Sequence, residues 1–280
     1  ATCPAAGFAT IGGATSENYD APAGLTADTW YRRRTRSSFD PDAGGPLPSV
    51  DCDKYTNCIK VTVNNVNGGA IAADQVICSG DDPADLTSTT AGSGDGTITY
   101  RWEQSTTGCA GPWTPLVVTT EGFAAFPVTN DIFYRRVTIS TLNSVACEAY
   151  SNCVSIYVNN VTAGSIQGNE TICAFADPAP ITELAAATGD GTLTYRWEST
   201  TVAGCASGWA TIPGANLTSY DPPAGIVFTT CYRRVAISSW DPDGAGPLPT
   251  KVCEATSGNV IKTVFSSVAA PTGGPTFTPA

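Results

Sequence analysis

The segment "TYRWEQSTTGC" at residues 99–109 returns as "TYRWESTTVAGC" at residues 194–205, and the likeness extends to both sides of it. Residues 67–161 run "NGGAIAADQVIC... TYRWEQSTTGC... FYRRVTIS... ACEAYSNCVSIYVNNV"; residues 162–265 repeat them as "TAGSIQGNETIC... TYRWESTTVAGC... CYRRVAISSW... VCEATSGNVIKTVF". Residues 1–66 match only the latter part of the unit, "GFATIGGATSENYDAPAGL" standing for "GWATIPGANLTSYDPPAGI" and "WYRRRTRSS" for "CYRRVAISS". Self-similarity at a fixed period means one fold unit stacked along the chain. The expected division is a partial unit at 1–66 and complete units at 67–161 and 162–266. Residues 267–280, rich in Pro and Gly, are either a linker or the opening of a further unit. The first unit then needs completion by upstream residues of a longer protein or by another chain.

Within a unit the apolar residues come in short runs of period two, "KVTV", "SIYV", "TITY", separated by Thr, Ser, Gly, Pro and Asn. That pattern is all-β, and seven or so short strands in about 100 residues fit tandem immunoglobulin-like β-sandwich repeats. Strands are expected at residues 70–78, 97–105, 123–128, 132–140 and 153–160, with one more after Leu86. Alternation places Tyr100 and Trp102, with Tyr195 and Trp197, on the core face. Asp95-Gly96 and Asp190-Gly191 read as tight hairpin turns through the positive φ that Gly accepts. The connections "VNNVNGG" and "VNNVTAG" are short, which favours a stiff end-to-end string.

Eleven cysteines with no CxxC pair and no histidine point to disulfides rather than zinc, hence to an extracellular setting. Aligning the units sets Cys78, Cys109, Cys147 and Cys153 against Cys173, Cys205, Cys253 and Asn259, with Cys231 in the place of Phe133. Cys153 and Cys231 are then alternative partners for one constant cysteine. The pairing expected is Cys78–Cys147, Cys173–Cys253, Cys109–Cys153, Cys205–Cys231 and Cys3–Cys58, with the partner of Cys52 upstream. The rival is a pair of short clips, Cys147–Cys153 and Cys52–Cys58.

With 25 acidic against 14 basic residues the surface repels polyanions, so no nucleic acid partner is expected. No apolar run has the length of a membrane span, and no signal peptide opens the chain. Hydrolysis needs two opposed carboxylates or a nucleophile with its base. Without histidine no Ser-His pair exists, and no P-loop or dinucleotide glycine pattern occurs. Catalysis is therefore not expected.

The "YRR" triplets have two readings: a basic stripe for anionic polysaccharide, or cross-strand ion pairs of Arg136 with Glu103 and Arg234 with Glu198. The second is preferred. Arg34 and Arg36 fall where Val137 and Ile139 supply the expected core face, which suggests a register shift in the first unit. The insertions "FDPDAGGPLP" and "WDPDGAGPLP" set Asp40 with Asp42 and Asp241 with Asp243, carboxylates two apart that suit either calcium or an ordinary loop tip. No cofactor is otherwise expected. Phe39 and Trp240 beside these loops are candidate ligand contacts.

Written out as "GSIQGNETIC... TGDGTLTYRWESTT... GWATIPGANLTSYDPPAGI... TTCYRRVAIS", the unit resembles the repeats of the very large cell-surface adhesins of Bacteroidota, typified by the gliding-motility adhesin SprB. The resemblance spans all but the last dozen residues. It implies a type IX secreted, cell-surface filament that attaches cells to substrata, its partners being neighbouring repeats or identical chains. The second cysteine pair and the "DPD" loops depart from the usual repeat and imply a stiffened variant. The other readings are an array of carbohydrate-binding modules that grip surface polysaccharide, and a polymerising subunit completed by a neighbour's strand.

Overall fold

The computed structural model describes residues 2–265, so the expectation for 267–280 lies outside the described residues. The described residues are all-β but for a single 3-10 turn at Ala203–Cys205, and they form tandem immunoglobulin-like sandwiches. In the second unit one sheet runs, in order, Thr114–Pro115, Thr97–Ser105, Ile132–Leu142, Val154–Asn159 and Gln75–Cys78, the last joined in parallel. Val145–Tyr150 pairs with the far half of Ile132–Leu142 through a turn at Asn143 and Ser144, both with positive φ. The facing layer is slight: Ala70–Ile71 pairs with Ser88–Thr90, Val66–Asn67 with Ser93–Gly94, and Leu86 bridges Phe123. The expected strand at 123–128 is reduced to that bridge. The third unit repeats this layout, with Thr192–Thr200, Thr230–Trp240, Lys251–Thr256, Val260–Phe265 and Glu170–Cys173 in the equivalent places.

Trp102 and Trp197 are fully buried at the centre of their units. Trp102 packs on Phe123, which packs on Tyr134; Trp197 packs on Tyr220, which packs on Tyr232. Each indole N–H donates to a backbone carbonyl, Thr120 in one unit and Leu217 in the other, so burial leaves no orphaned donor. Tyr100 and Tyr195 lie on the same face but only half-buried, near its end, where a guanidinium covers each ring.

Strand register corrects the expected ion pairs. Trp102 stands opposite Arg136, and Glu103 opposite Arg135; Trp197 and Glu198 likewise face Arg234 and Arg233. Directly opposed residues share a face of the sheet, so Arg136 and Arg234 enter the core beside the tryptophans while Arg135 and Arg233 take the carboxylates. The same register puts Val137 and Ile139 on the outer face. Arg34 and Arg36 in the first unit therefore need no register shift: they face Asp53 and Asp51 across the hairpin of Arg34–Phe39 with Val50–Tyr55.

The first unit consists of that hairpin and the pair Thr29–Tyr31 with Ile59–Val61. Ile59 is 67% exposed, whereas its counterparts Val154 and Val260 are buried.

Candidate functional site

A second segment that recurs unchanged lies where one unit meets the next. The connection Val63-Asn64-Asn65-Val66 returns as Val158-Asn159-Asn160-Val161. At the first junction the Asn64 amide donates to the carbonyls of Ser140 (2.7 Å) and Val145 (3.0 Å), while the Ser140 hydroxyl donates back to Asn64 Oδ1 (2.7 Å). At the second, the Asn159 amide donates to Ser238 (3.0 Å) and Lys251 (2.9 Å), and the Ser238 hydroxyl donates to Asn159 Oδ1 (2.8 Å). Asn159, Ser140 and Ser238 are fully buried. Each asparagine ends one sandwich and plugs into the hairpin of the next.

The Asp-Gly pairs complete this lock rather than turning a hairpin. Asp95 accepts from the Asn65 backbone N–H (2.8 Å), and its own N–H donates to the Asn65 carbonyl; Asp190 and Asn160 do the same. Gly96 and Gly191 do not have positive φ. A Cβ at either would run into the backbone carbonyl of Thr141 or Ser239, so glycine is there for close approach.

A covalent bond reinforces the second junction. Cys78, ending the edge strand of the second unit, is bonded to Cys253 in the hairpin of the third, with Cα atoms 5.6 Å apart. The expected Cys78–Cys147 and Cys173–Cys253 bridges do not form. In the second unit Cys147 lies opposite Ser140, whereas Cys78 lies beside Asn159, at the end of the sheet that holds Ile132. Residues 132 and 140 on one strand are about 26 Å apart, far beyond disulfide reach. Cys109–Cys153, Cys205–Cys231 and Cys3–Cys58 are bonded, and neither short clip is. Disulfides of this number persist in oxidising surroundings.

Trp240 belongs to the junction as well. It is half-buried, its ring meeting that of Tyr157 in the preceding unit nearly perpendicularly at 6.2 Å, so part of its surface is taken up by the junction. Phe39, its counterpart, is 67% exposed. The carboxylates of the "DPD" loops are used by their own loops: Asp40 accepts from Asp42 and Gly44, Asp42 from Leu47, Asp241 from Asp243, Gly244 and Ala245, and Asp243 from Leu248. Backbone N–H bonds hold the Asp40 and Asp241 carboxyls below the usual range. Among the described residues no group of three His, Cys, Asp or Glu is placed to hold a metal.

Two arginine systems stiffen each sandwich. On the outer face Glu103 bridges Arg101 (2.9 Å) and Arg135 (2.7 Å), Arg101 forks onto Glu148, and Arg135 lies between the rings of Trp113 and Tyr150. Glu198, Arg196, Arg233, Glu254 and Trp209 repeat the set. In the first unit Arg32 lies over Phe8 and Tyr55 in the same manner.

Hydrogen bonds from Arg101 and Arg196 hold the Glu148 and Glu254 carboxyls below their usual value. A lowered carboxylate pKa gives stability that is complete above the unfolded value, about 4.3 for Glu, and fades as pH falls through the folded one. The melting temperature is therefore expected to hold from pH 7 to about 5 and to drop below about 4. The double variant Glu148→Gln, Glu254→Gln should show a shallower drop in a calorimetric pH series; an unchanged slope would place the acid loss elsewhere.

The asparagine lock gives a second expectation. Asn64→Ala takes away the donor of the part-buried Ser140 carbonyl and the acceptor of the buried Ser140 hydroxyl, a cost of about 1–3 kcal/mol. Hydrogen exchange in the Ser140–Val145 hairpin should quicken, and the first two units should tilt freely in solution scattering. Asn159→Ala should loosen its junction less, because Cys78–Cys253 still holds it; equal loosening would contradict this division of roles.

No curated protein matches the chain. Among solved structures, extracellular domains 3–5 of Drosophila OTK align over 78% of this chain and 70% of theirs, at 10% identity and a TM-score of 0.33. Immunoglobulin domains 1–5 of Sidekick-1 align over 72% and 38%, at 12% identity and 0.31. The tandem Ig repeats of Dlar align over 73% and 98%, at 16% identity and 0.23. TM-scores this low carry no argument beyond the topology already read from the strands. The model of a domain of unknown function, DUF8696, matches residues 67–160 and again 162–244, the second unit and the greater part of the third. The chain belongs to the DUF8696 family.

Proposed function

We propose that this chain is a non-catalytic, load-bearing stalk region of an extracellular adhesive filament at the cell surface. The observation that carries the reading is the junction: one asparagine–serine–aspartate lock built twice, and a disulfide across the second copy. A chain of independent binding modules needs no buried, covalently closed contact between neighbours. A stalk that transmits pull does. The likeness of the repeats to those of gliding-motility adhesins supports attachment or gliding as the setting. Among the described residues no helix is long and apolar enough to cross a membrane.

Small-angle scattering of the oxidised chain tests the reading. A single elongated particle, with one narrow distribution of end-to-end distance from low to physiological salt, is expected. A broad distribution typical of sandwiches on free linkers would overturn it. The exposure of Ile59 where the other units bury valine suits completion of the first unit by a further strand, from a neighbouring chain or from the same polypeptide. A polysaccharide-binding reading would rest on the part of Trp240 that its contact with Tyr157 leaves exposed.

A further inference from the structure

All eleven cysteines lie within the described residues, and three of them are unpaired: Cys52 and Cys173, both exposed, and Cys147, half-buried. Their places follow a rule. Cys52 stands opposite Ser37, Cys147 opposite Ser140 and Cys253 opposite Ser238, in the same hairpin of the three units. Cys173 ends the edge strand Glu170–Cys173 as Cys78 ends Gln75–Cys78. Each unpaired cysteine thus occupies one half of the arrangement that Cys78 and Cys253 close: edge strand of one unit to hairpin of the next.

The first junction supplies an independent observation. Asn64 grips the hairpin of the second unit as Asn159 grips that of the third, so Cys147 is presented to the first unit as Cys253 is to the second. Beside it an edge is open. Val154–Asn159 has Ile132–Leu142 on one side and the parallel cysteine strand on the other, whereas among the described residues Ile59–Val61 pairs with Thr29–Tyr31 alone. In the second unit the parallel register sets Cys78 opposite Asn159. Carried to the first unit, that register sets an incoming cysteine opposite Asn64, next to Cys147.

We propose that Cys78–Cys253 is one rung of a repeating disulfide ladder, and that Cys147 is the open half of the rung before it. Its partner is the edge-strand cysteine of a repeat of this family, on a strand that adds in parallel to Ile59 and the residues after it through Asn64. Cys52 takes a partner of the same kind, and Cys173 takes the hairpin cysteine of an adjoining repeat. Each rung forms as two thiols lose two protons and two electrons to a disulfide-bearing oxidant, by thiol–disulfide exchange; one S–S bond forms, one breaks, and the oxidant leaves as a dithiol. The rung at Cys173 lacks the asparagine lock, because Phe265 stands where Asn159 does in the unit before. Cys147 is therefore the stringent test.

The partner strand has two sources, a second copy of this chain or another repeat of the same polypeptide. The experiment is disulfide mapping on the protein taken from its native source, alkylated before lysis and digested without reduction. The expected result is Cys147 recovered in a linked peptide pair. A link to the Cys173 peptide supports the ladder between copies. A link to an edge-strand peptide of another repeat supports it within one polypeptide. Alkylated Cys147 thiol beside an intact Cys78–Cys253 link would overturn the ladder and leave the stalk reading standing, as would a like-to-like bridge such as Cys147–Cys52. Absence of the Cys78–Cys253 link would overturn both.

Discussion

Cys253→Ser is expected to lengthen this chain under force by about 370 Å, with no change in the fold of either complete unit. The bridge closes a separation of 175 residues. Inside it Cys109–Cys153 and Cys205–Cys231 hold separations of 44 and 26. The residues between cannot extend while Cys78–Cys253 is intact. Removing that bond alone frees what the inner bridges do not hold, at roughly 3.5 Å per residue. Full reduction should release about 800 Å, since it also opens Cys3–Cys58 with its separation of 55. The oxidised chain should therefore show no unfolding step from the residues between Cys78 and Cys253 in single-molecule pulling, because the load passes from the edge strand Gln75–Cys78 across the sulfurs to Lys251–Thr256. Loop closure on this scale also contributes about 4–5 kcal/mol on the chain-entropy account, an upper figure given the nested bridges. Equal contour lengths for the wild type and Cys253→Ser would show that the bond is not formed in the protein under load.

Why the repeats were readable and the staple was not follows from what an alignment measures. Matching "TYRWE" to "TYRWE" identifies equivalent positions, and equivalence sufficed for the sandwich, for the buried Trp102 and Trp197, and for the interchange of Cys153 with Cys231. Equivalence does not report proximity. Cys78 and Cys147 recur once per unit, which suggests partners within a unit, yet they sit at opposite ends of the long axis of the sheet. Stacking brings the end of one unit to the beginning of the next, and only then are the two positions neighbours. The arginines illustrate a finer limit. Alternation along "YRR" fixes that adjacent residues take opposite faces, but which one goes inward depends on registry with the tryptophan strand, and a one-residue difference exchanges the two. A guanidinium in the core also runs against the ordinary exposure of arginine. The junction asparagines carried a legible signal, the doubled "VNNV", which was read only as a short linker.

Arg136→Met is expected to open the second unit about 10²- to 10⁴-fold more often, a cost of about 3–5 kcal/mol for breaking a buried charged network. The side chain is fully buried. It donates to Ser88 Oγ (2.9 Å) and to the carbonyls of Glu121, Gly68 and Thr90 (3.1 Å each), tying both layers of the sandwich together. Gly69 turns the Gly68 carbonyl inward with a φ of 66°, and a Cβ there would meet the Thr90 backbone, so the cage is built around the guanidinium. Its closest carboxylate, Glu121, is 3.9 Å away. The charge is therefore held chiefly by carbonyl dipoles and by the Tyr100 ring, 4.9 Å from the guanidinium carbon. Methionine fills similar volume but takes the guanidinium donor from the Glu121 and Thr90 carbonyls and leaves the Gly68 carbonyl with the Thr138 hydroxyl in its place. Arg136→Lys should recover little, because one ammonium on a flexible stem does not reach four acceptors spread over two layers. Arg234, which bonds Glu183 at 2.6 Å, Thr218 and Ala163, provides the internal comparison. Hydrogen exchange resolved by segment is the suitable measurement, since a multi-unit chain does not unfold in one step. Exchange along Ile132–Leu142 should accelerate in Arg136→Met while Thr230–Trp240 keeps its protection. Unchanged protection in both strands would mean that the sandwich layers are held by the tryptophan cluster alone, with the arginine merely accommodated.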